Sequence, residues 1–244
     1  MSIFNKIFRG TVANDNTGDP LREGGQIVND NFDITEANIN RIDQDVLNRV
    51  SRVDSVQNIA GLIGDYDGKQ ISLLGYHPES DVGGGVLYWD SSRVKSDHNG
   101  GTVFSPTVPW TANIGDYLDA VGETNPAGNG CWIRVALDSI DIQEFGAIGD
   151  GLTSSHKPIN AAILNSNGHV FIPKGDFVVR DTININRGVK LSGVCSQESI
   201  IRCDKTGGYA IDIGGGFYDK PVVFEDFTLR CKDPVTANFA GRRS

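Results

Sequence analysis

Six carboxylates in the last quarter of the chain are the residues whose types best suit chemistry. Glycoside hydrolysis needs two carboxyl groups roughly 5 to 9 Å apart, one protonated and one charged. Glu225 and Asp226 are adjacent, so on a strand they would point to opposite faces and could not flank one bond. Since carboxylates mostly lie in water, we interpret the set as solvated positions and assign no catalytic residue. The set is Asp204, Asp212, Asp219, Glu225, Asp226 and Asp233.

Metal and thiol chemistry has little support in the sequence. The four cysteines form no CxxC pair, and neither His77 nor His98 has a second His or Cys at ligand spacing. We predict no metal site, no cofactor and four reduced, buried thiols. The cysteines are Cys131, Cys195, Cys203 and Cys231.

A glycine-containing segment near the start resembles a phosphate-binding loop only in its glycines. It lacks the Lys-Ser/Thr pair of such loops, and no strand precedes it. We predict an anchor loop instead, in which Gly24 and Gly25 allow a tight backbone path and Asp19 and Arg22 are available for ion pairs with a partner. The predicted anchor residues are Thr17, Gly18, Asp19, Pro20, Leu21, Arg22, Gly24 and Gly25.

A heptad pattern follows this segment. Phe32, Ile39, Val46 and Val53 lie seven residues apart, and the other half of the heptad is filled by Thr35, Ile42, Arg49 and Val56. No Gly or Pro interrupts the stretch from Phe32 to Val56. A long helix with one apolar stripe needs cover, so the pattern predicts a coiled coil, and successive Ile residues favour three strands. The alternative is an amphipathic helix lying on its own domain. The predicted trimer interface is Phe32, Ile39, Ile42, Val46, Val53 and Val56.

The rest of the chain has the composition of a β protein. It contains 30 glycines and one methionine, and its apolar runs are short. The net charge of −9 repels phosphates, which argues against nucleic-acid binding. No apolar run approaches the ~18 residues of a membrane helix, so we predict no membrane insertion.

Residues 58–137 alternate between short strands and turns, which predicts a small all-β domain. Strands are expected at 71–76, 86–90, 102–104 and 130–135, with a tight turn at 64–68 and a hairpin turn at 99–101. Trp89, Trp110 and Trp132 suit either the core of such a domain or stacking on sugar rings.

Residues 138–244 repeat short strands at a step near 20 residues. After a short helix at 158–164, strands are expected at 170–172, 189–191, 211–213 and 227–229. Secondary strands are expected between them at 177–179, 183–185, 200–201 and 222–224. Such a step is typical of a parallel solenoid in which each coil stacks on the last, and four coils are few for one. We expect the natural chain to continue beyond this sequence.

Three features together resemble the amino-terminal part of a bacteriophage tailspike. Residues 17–32 are similar to a motif of baseplate-attached tail fibre and connector proteins, where a loop and helix fix a trimer to the virion. The glycine and aromatic motifs at 64–68, 83–90 and 99–102 resemble the small β adaptor domain that precedes many tailspike β-helices. Residues 145–151, 159–163 and 170–175 resemble the entry to a right-handed β-helix of the pectate-lyase-like superfamily. One departure is the segment 152–158, where the family commonly has Asp and Thr.

The resemblance implies a mainly β chain with three parts: a virion anchor and trimeric coiled coil (1–57), a β adaptor domain (58–137) and the start of a right-handed β-helix (138–244). It implies a homotrimer assembled in the host cytoplasm and located in the phage tail. Its partners would be a tail or baseplate protein, host surface polysaccharide, and a second tailspike through the adaptor. In that family the catalytic groove lies on later coils. The alternatives are a polysaccharide depolymerase complete within this chain and a carbohydrate-binding module that uses Trp89 or Trp110.

Overall fold

The computed structural model describes residues 21–47, 51–135, 138–214 and 220–231. The chain divides into two units, Met1–Arg49 and Val50–Ser244. Among the described residues, the first unit contains one long helix and the second contains the strands. Within the described residues, no helix combines the length and the apolar character needed to cross a bilayer.

The helix of the first unit, α1, spans Leu21–Leu47. Phe32 and Ile39 lie on it with 68% and 53% of their surfaces exposed. Thr35, which falls between them in the heptad pattern, donates its hydroxyl to the Asn31 carbonyl at 2.8 Å, so it satisfies its polar group within the helix. Ile42 and Val46 continue the spacing on the same helix.

Two expectations for this region change. The helix already includes Leu21, Arg22, Gly24 and Gly25, so the prediction of a loop at these four positions is wrong. Helix propensity is a weak prior, and two glycines do not break a helix by themselves. Thr17, Gly18, Asp19 and Pro20, the rest of the predicted anchor, lie outside the described residues.

The second correction concerns the end of the predicted heptad pattern, because α1 ends at Leu47, before Val53 and Val56. Val53 closes a short strand, β1 (Ser51–Val53), which pairs in parallel with β2 (Gln70–Gly75). Val53 is 8% exposed, and Val56, in a single helical turn, is fully buried. Both side chains therefore belong to the core of the β domain, and their assignment to the trimer interface is wrong. Burial in a sheet outweighed the local seven-residue spacing.

The β domain is a five-stranded sheet in the order β1-β2-β3-β5-β4. The remaining strands are β3 (Gly83–Val94), β4 (Val103–Phe104) and β5 (Asn129–Arg134), and a short helix, α2 (Ile114–Leu118), precedes β5. All pairs other than β1-β2 are antiparallel. The turn at Asn99–Gly101 does not form a hairpin between β3 and β4, because β5 lies between those strands in the sheet.

The second part of this unit is a coil of parallel strands. The first strands are β6 (Ile140–Asp141), β7 (Asp150–Ser154), β8 (His169–Ile172), β9 (Gly175–Val179) and β10 (Ile183–Ile185). The later strands are β11 (Lys190–Gly193), β12 (Ser199–Cys203), β13 (Ile211–Ile213), β14 (Val223–Glu225) and β15 (Thr228–Cys231). They form three parallel sheets, β6-β8-β11-β14, β7-β9-β12-β15 and β10-β13.

These sheets confirm a parallel β-helix but correct its step. Lys190 pairs with His169 after 21 residues, whereas Ile211 pairs with Ile183 after 28 and Val223 with Lys190 after 33. The strands at 211–213 and 227–229 therefore belong to different sheets and are not successive turns of one ladder. The regular step was wrong because loops of different length join the strands, while the inward apolar residues keep their positions.

A helix, α3 (His156–Asn165), follows β7 and buries Ile159, Ala162 and Ile163 against the core of the β-helix. It begins at His156, within the segment that departs from the family pattern, so this departure leaves the short helix intact. The two parts of the unit have separate cores, one around Trp132 and Phe104 and one around Phe177 and Leu191.

Candidate functional site

The carboxylates that could have formed a catalytic pair are spread over three sheets. Asp204 follows β12, Asp212 lies on β13, and Glu225 lies on β14. Glu225 Oε2 forms an exposed ion pair with Lys190 Nζ at 2.7 Å. Asp226 occupies a left-handed turn with φ of 56°. Asp219 and Asp233 lie outside the described residues, so the described set offers no facing pair of catalytic carboxylates.

The three tryptophans lie in the β domain, where Trp89 and Trp132 are core residues. Their side chains are 6% and 0% exposed, and their rings pack edge to face with centroids 5.2 Å apart. Trp110 is half-buried and packs against Tyr117 at 5.1 Å and Tyr76 at 6.1 Å. Trp89 and Trp132 therefore have no free face for a sugar ring, and Trp110 is the remaining candidate among the three.

The most organised polar cluster joins the β domain to the β-helix, and its centre is Arg134. This guanidinium lies at the end of β5, is 6% exposed, and donates to three backbone carbonyls. Its Nε reaches Gly101 O at 2.8 Å, Nη1 reaches Gly84 O at 2.5 Å, and Nη2 reaches Gly83 O at 3.1 Å. Because the planar fork of arginine holds several acceptors in fixed directions, it ties β3, β5 and the loop before β4 into one rigid corner.

The charge of Arg134 is balanced by Glu144, whose Oε1 lies 3.6 Å from Arg134 Nη1. Glu144 belongs to the helical turn Ile142–Phe145, which opens the β-helix. Burial lowers the pKa of Arg134 and raises the pKa of Glu144, and in each case the opposite charge of the partner counters the shift. A pair this deeply buried must stay complete, because one partner alone would be an uncompensated charge in a poor solvent.

Asp141 caps the same turn and is a third charged group at the junction. Its side chain accepts a hydrogen bond from the Gln143 N–H at 2.8 Å, and its own N–H donates to Glu144 Oε2 at 3.3 Å. Burial raises the pKa of Asp141 to about 6, and the negative charge of Glu144 adds to the rise, while the hydrogen bond from Gln143 and the charge of Arg134 oppose it. The junction therefore contains a carboxyl group that titrates near neutral pH.

Glycines allow the two backbones to approach closely at this junction. A β-carbon on Gly83, which has φ of 72°, would lie 2.1 Å from the Gln143 carbonyl oxygen. A β-carbon on Gly101 would lie 2.4 Å from the Phe145 ring, which is fully buried. Larger residues would force the β domain away from the turn that begins the β-helix.

Two side-chain contacts extend the junction on either side. His77 Nε2 lies 2.9 Å from the Gly146 carbonyl oxygen, and Asn99 Nδ2 donates to Asn165 Oδ1 on α3 at 3.0 Å. The side-chain oxygen of Asn99 also accepts from three successive backbone N–H groups at 101–103, which fixes the loop. The β domain and the β-helix are thus held by polar contacts on both sides of a buried ion pair.

Arg134, Glu144 and Asp141 were not among the functional residues predicted from the sequence. The available signal was an arginine inside the otherwise apolar strand Gly130–Val135, followed ten residues later by Glu144. A charge in a buried strand requires a partner, but the sequence does not say which of the 31 acidic residues supplies it.

The cysteines of the described residues are all unpaired as disulfides. Cys131 is fully buried in β5, and burial raises the pKa of its thiol to about 11. Among the residues that the structure describes, no three His, Cys, Asp or Glu side chains lie close enough to share a metal ion.

Two family models match consecutive parts of the chain. Residues 52–137 match the phage tail protein small four-stranded beta-sheet domain, and residues 139–215 match a rhamnogalacturonase A/epimerase, pectate lyase-like family. A shorter resemblance, 33% identity over 69 residues, links the chain to the non-secreted LysM effector LysM15 of Penicillium expansum and covers 27% of this chain and 5% of that protein.

Solved structures show the same fold at low identity. Full-length tailspike protein 2 of Escherichia coli O157:H7 bacteriophage CAB120 has a TM-score of 0.53 and 21% identity, covering 78% of this chain and 22% of that one. The gp42 tailspike of Acinetobacter phage vb_AbaP_AS12 has a TM-score of 0.53 and 15% identity, covering 75% and 31%. WceF of Pantoea stewartii, a glycan biofilm modifying enzyme with a bacteriophage tailspike-like parallel β-helix fold, has a TM-score of 0.50 and 19% identity, covering 77% and 28%.

The chain thus spans less than a third of each of these relatives. It joins a part that matches a phage tail β-sheet domain to a part that matches a pectate-lyase-like family, and together these have the fold seen in bacteriophage tailspike proteins.

Proposed function

We propose that this chain is the amino-terminal part of a homotrimeric phage tailspike that attaches a receptor-binding β-helix to the virion tail or baseplate. In this division the anchor and α1 precede Ser51, the β domain is the adaptor, and the right-handed β-helix leads toward the host polysaccharide. The spike would be assembled in the host cytoplasm, where reduced thiols are expected.

The observation that carries the proposal is the contrast between α1 and the domains after it. Phe32 and Ile39 expose large apolar surfaces one heptad apart, whereas the two cores of the strand-containing unit enclose their largest apolar side chains. An apolar stripe at heptad spacing is buried most simply by copies of itself. The match of the β domain to a phage tail family supports the proposed location of the complex in the phage tail.

The Arg134 junction supports the second half of the proposal. A spike that is held at one end and meets the host at the other needs a stiff connection between adaptor and β-helix. A buried ion pair, three charge-assisted hydrogen bonds and close glycine contacts provide that stiffness here.

The oligomeric state tests the trimer. Size-exclusion chromatography with light scattering should give three chains for the unsubstituted protein and one chain for the double variant Ile39→Asp/Ile42→Asp. A matched control introduces the same two aspartates, also three residues apart, at positions off the seam. This control, Ala37→Asp/Asn40→Asp, should remain trimeric, since Ala37 and Asn40 are exposed on α1 and belong to neither half of the heptad stripe. A monomeric unsubstituted chain would contradict the proposal.

Retention on purified phage tails tests the attachment. The unsubstituted chain should sediment with tails, and a peptide of residues 1–57 should compete for the same sites. Loss of retention on removing residues 1–50, with the β domain still folded, is the expected result. If the truncated chain is still retained, the attachment lies in the β domain and not in residues 1–50. The β domain is also the part predicted to recruit a second tailspike.

The alternative function, a depolymerase complete within this chain, is examined in the same preparation. It predicts that reducing ends appear when the purified chain is incubated with capsule or O-antigen. The attachment function predicts no turnover by these 244 residues. The relation to WceF, which its own description calls a glycan biofilm modifying enzyme, is the reason to measure this activity.

A further inference from the structure

Three arginines line one pocket on the outer surface of the β-helix. Arg180 follows β9, Arg202 lies on β12, and Arg230 lies on β15. With Leu152 and Asp204 they surround a cavity of about 520 Å³. In a chain with a net charge of −9, three guanidinium groups in one pocket are a local reversal of charge.

Two of these arginines are stacked in register. Arg202 and Arg230 are directly paired positions on the parallel strands β12 and β15, so their backbones lie about 4.8 Å apart. Like charges in directly opposite positions destabilise a sheet unless other groups compensate them. The location of the compensating groups therefore shows which charge is available to a ligand.

Arg202 is compensated within the protein. Its Nη1 lies 3.1 Å from Asp176 Oδ2, its Nε lies 3.7 Å from Asp204 Oδ1, and its Nη2 donates to the Gly151 carbonyl. These contacts hold Arg202 across the sheet and leave it little capacity for a ligand. Its role in the pocket is to fix the floor and to contribute positive potential.

Arg180 and Arg230 retain donors. Arg180 Nη2 donates to the Leu152 carbonyl at 2.7 Å, and neither of the other two guanidinium nitrogens, Nε and Nη1, has a hydrogen-bond partner among the described residues. Arg230 is exposed, and none of the described carboxylates forms an ion pair with it. Beside them, Leu152 exposes 72% of its surface. The pocket therefore combines the Arg230 guanidinium, which forms no ion pair with the described carboxylates, the Arg180 guanidinium, which is partly hydrogen-bonded, and the apolar side chain of Leu152.

We propose that this pocket binds an oxyanion substituent of the host glycan, a carboxylate or a phosphate, with Arg230 as the principal contact. A guanidinium can hold either group through two parallel hydrogen bonds. Arg180 adds a second positive charge, and Leu152 packs against the apolar face of the sugar ring. The inference rests on the proposed function in one respect, that the β-helix faces a polysaccharide, and it specifies that this polysaccharide is anionic.

Two tetrasaccharides with the same backbone provide the test. Cellotetraose and its uronic acid counterpart, a tetramer of β-1,4-linked glucuronic acid, differ only in the carboxylates. In calorimetric titration of the full chain at low salt, the acidic tetramer should bind and the neutral one should not. The affinity should fall as salt is added, since the contact is between charges near the surface. Inorganic phosphate, titrated separately and as a competitor, distinguishes a preference for phosphate from one for the sugar carboxylate.

Arg230→Gln should weaken binding of the acidic tetramer roughly tenfold, the loss expected for one bidentate charged contact. Arg180→Gln should weaken it less. The matched control is Arg52→Gln, because Arg52 is also an exposed strand arginine, on β1, with only a 3.9 Å contact to Asp54. Circular dichroism of each variant checks the fold. Equal affinity of the Arg230 and Arg52 variants, equal binding of the two tetramers, or no binding of either anion overturns the inference.

The result is separable from the proposed function. Trimer formation and retention on tails require no glycan, so they can succeed when the tetramer fails to bind, and then only this inference falls. Binding of the tetramer by a chain that is monomeric and does not bind tails would instead remove the attachment function and leave the anion site.

Discussion

Two phenylalanines show how differently the two units of this chain treat apolar surface. Phe104, on β4, is fully buried among the side chains of the β domain, whereas Phe32, on α1, has 68% of its surface exposed. The two cores of the strand-containing unit enclose their largest apolar side chains. The helix keeps an apolar stripe for which the described residues of its own unit provide no cover, which is the property expected of an element that assembles with copies of itself.

The difference also separates two kinds of polar chemistry. The domain junction buries Arg134, Glu144 and Asp141 and satisfies them inside the chain. The described polar contacts of α1 are short-range ones along the helix, such as Gln26 Nε2 to Asp30 Oδ1 at 2.7 Å. Specific burial fixes the β domain against the β-helix, whereas the exposed apolar stripe of α1 is the feature on which the proposed trimer depends.

The largest effect expected from this comparison is that of Phe104→Ala. Removing a fully buried aromatic side chain should lower the free energy of unfolding by about 4 kcal/mol, since the transfer and cavity terms add. Urea unfolding followed by tryptophan fluorescence measures this directly, because all three tryptophans lie in the β domain. A loss below about 1 kcal/mol would show that the β domain does not depend on its own core.

Arg134→Met should cost about 3 kcal/mol, because Glu144 would remain buried without its counter-charge. The double variant Arg134→Met/Glu144→Gln should recover part of that loss, and the double-mutant cycle gives the coupling between the two residues. Additive losses would mean that the contact at 3.6 Å contributes nothing and that the junction is held by the other contacts.

Acidification should stabilise the junction through Asp141. The pKa of this group in the folded chain, about 6, lies above the value near 4 expected for an unfolded chain. The folded chain therefore binds more protons in this interval, and the free energy of unfolding rises as pH falls from 7 to 5. The expected contribution is about 1 kcal/mol, and the raised pKa of Glu144 acts in the same direction.

The control is Asp141→Asn, which retains a side chain able to cap the turn. Urea unfolding of both proteins at pH 7 and pH 5 should show a smaller increase for the variant. An identical pH dependence in the two proteins would mean that the Asp141 carboxyl has an ordinary pKa in the folded chain.

The smallest effect on the strand-containing unit is expected from Phe32→Ala, the counterpart of Phe104→Ala. Its tryptophan-detected unfolding should change by no more than about 0.5 kcal/mol, because Phe32 is exposed and belongs to the other unit. The same variant should weaken association measured by light scattering over a dilution series. A strong loss of stability with unchanged association would contradict the conclusion that Phe32 serves association and not the core of the strand-containing unit.

Much of the fold could be predicted from the sequence because many of its strands have clear signals in their own residues. Alternating side chains and flanking glycines placed β2, β5, β8 to β12 and the short helix α3 close to their observed ranges. It was harder to predict from the sequence which of these strands pair with each other. The hairpin expected around Asn99 was wrong, and the coil step varies from 21 to 33 residues, because neighbours in a sheet are chosen by the whole core and not by the intervening turn.

The sequence by itself determined that a helix with heptad spacing precedes a glycine-rich β region. Only the tertiary structure decided that Val53 and Val56 belong to a β-sheet core, that Arg134 meets Glu144, and that Arg202 and Arg230 are stacked. The physical reason is the separation along the chain of the residues that interact. Periodicity and turn chemistry act between residues close in the chain, whereas burial, ion pairing and strand register join residues that only the folded chain brings together.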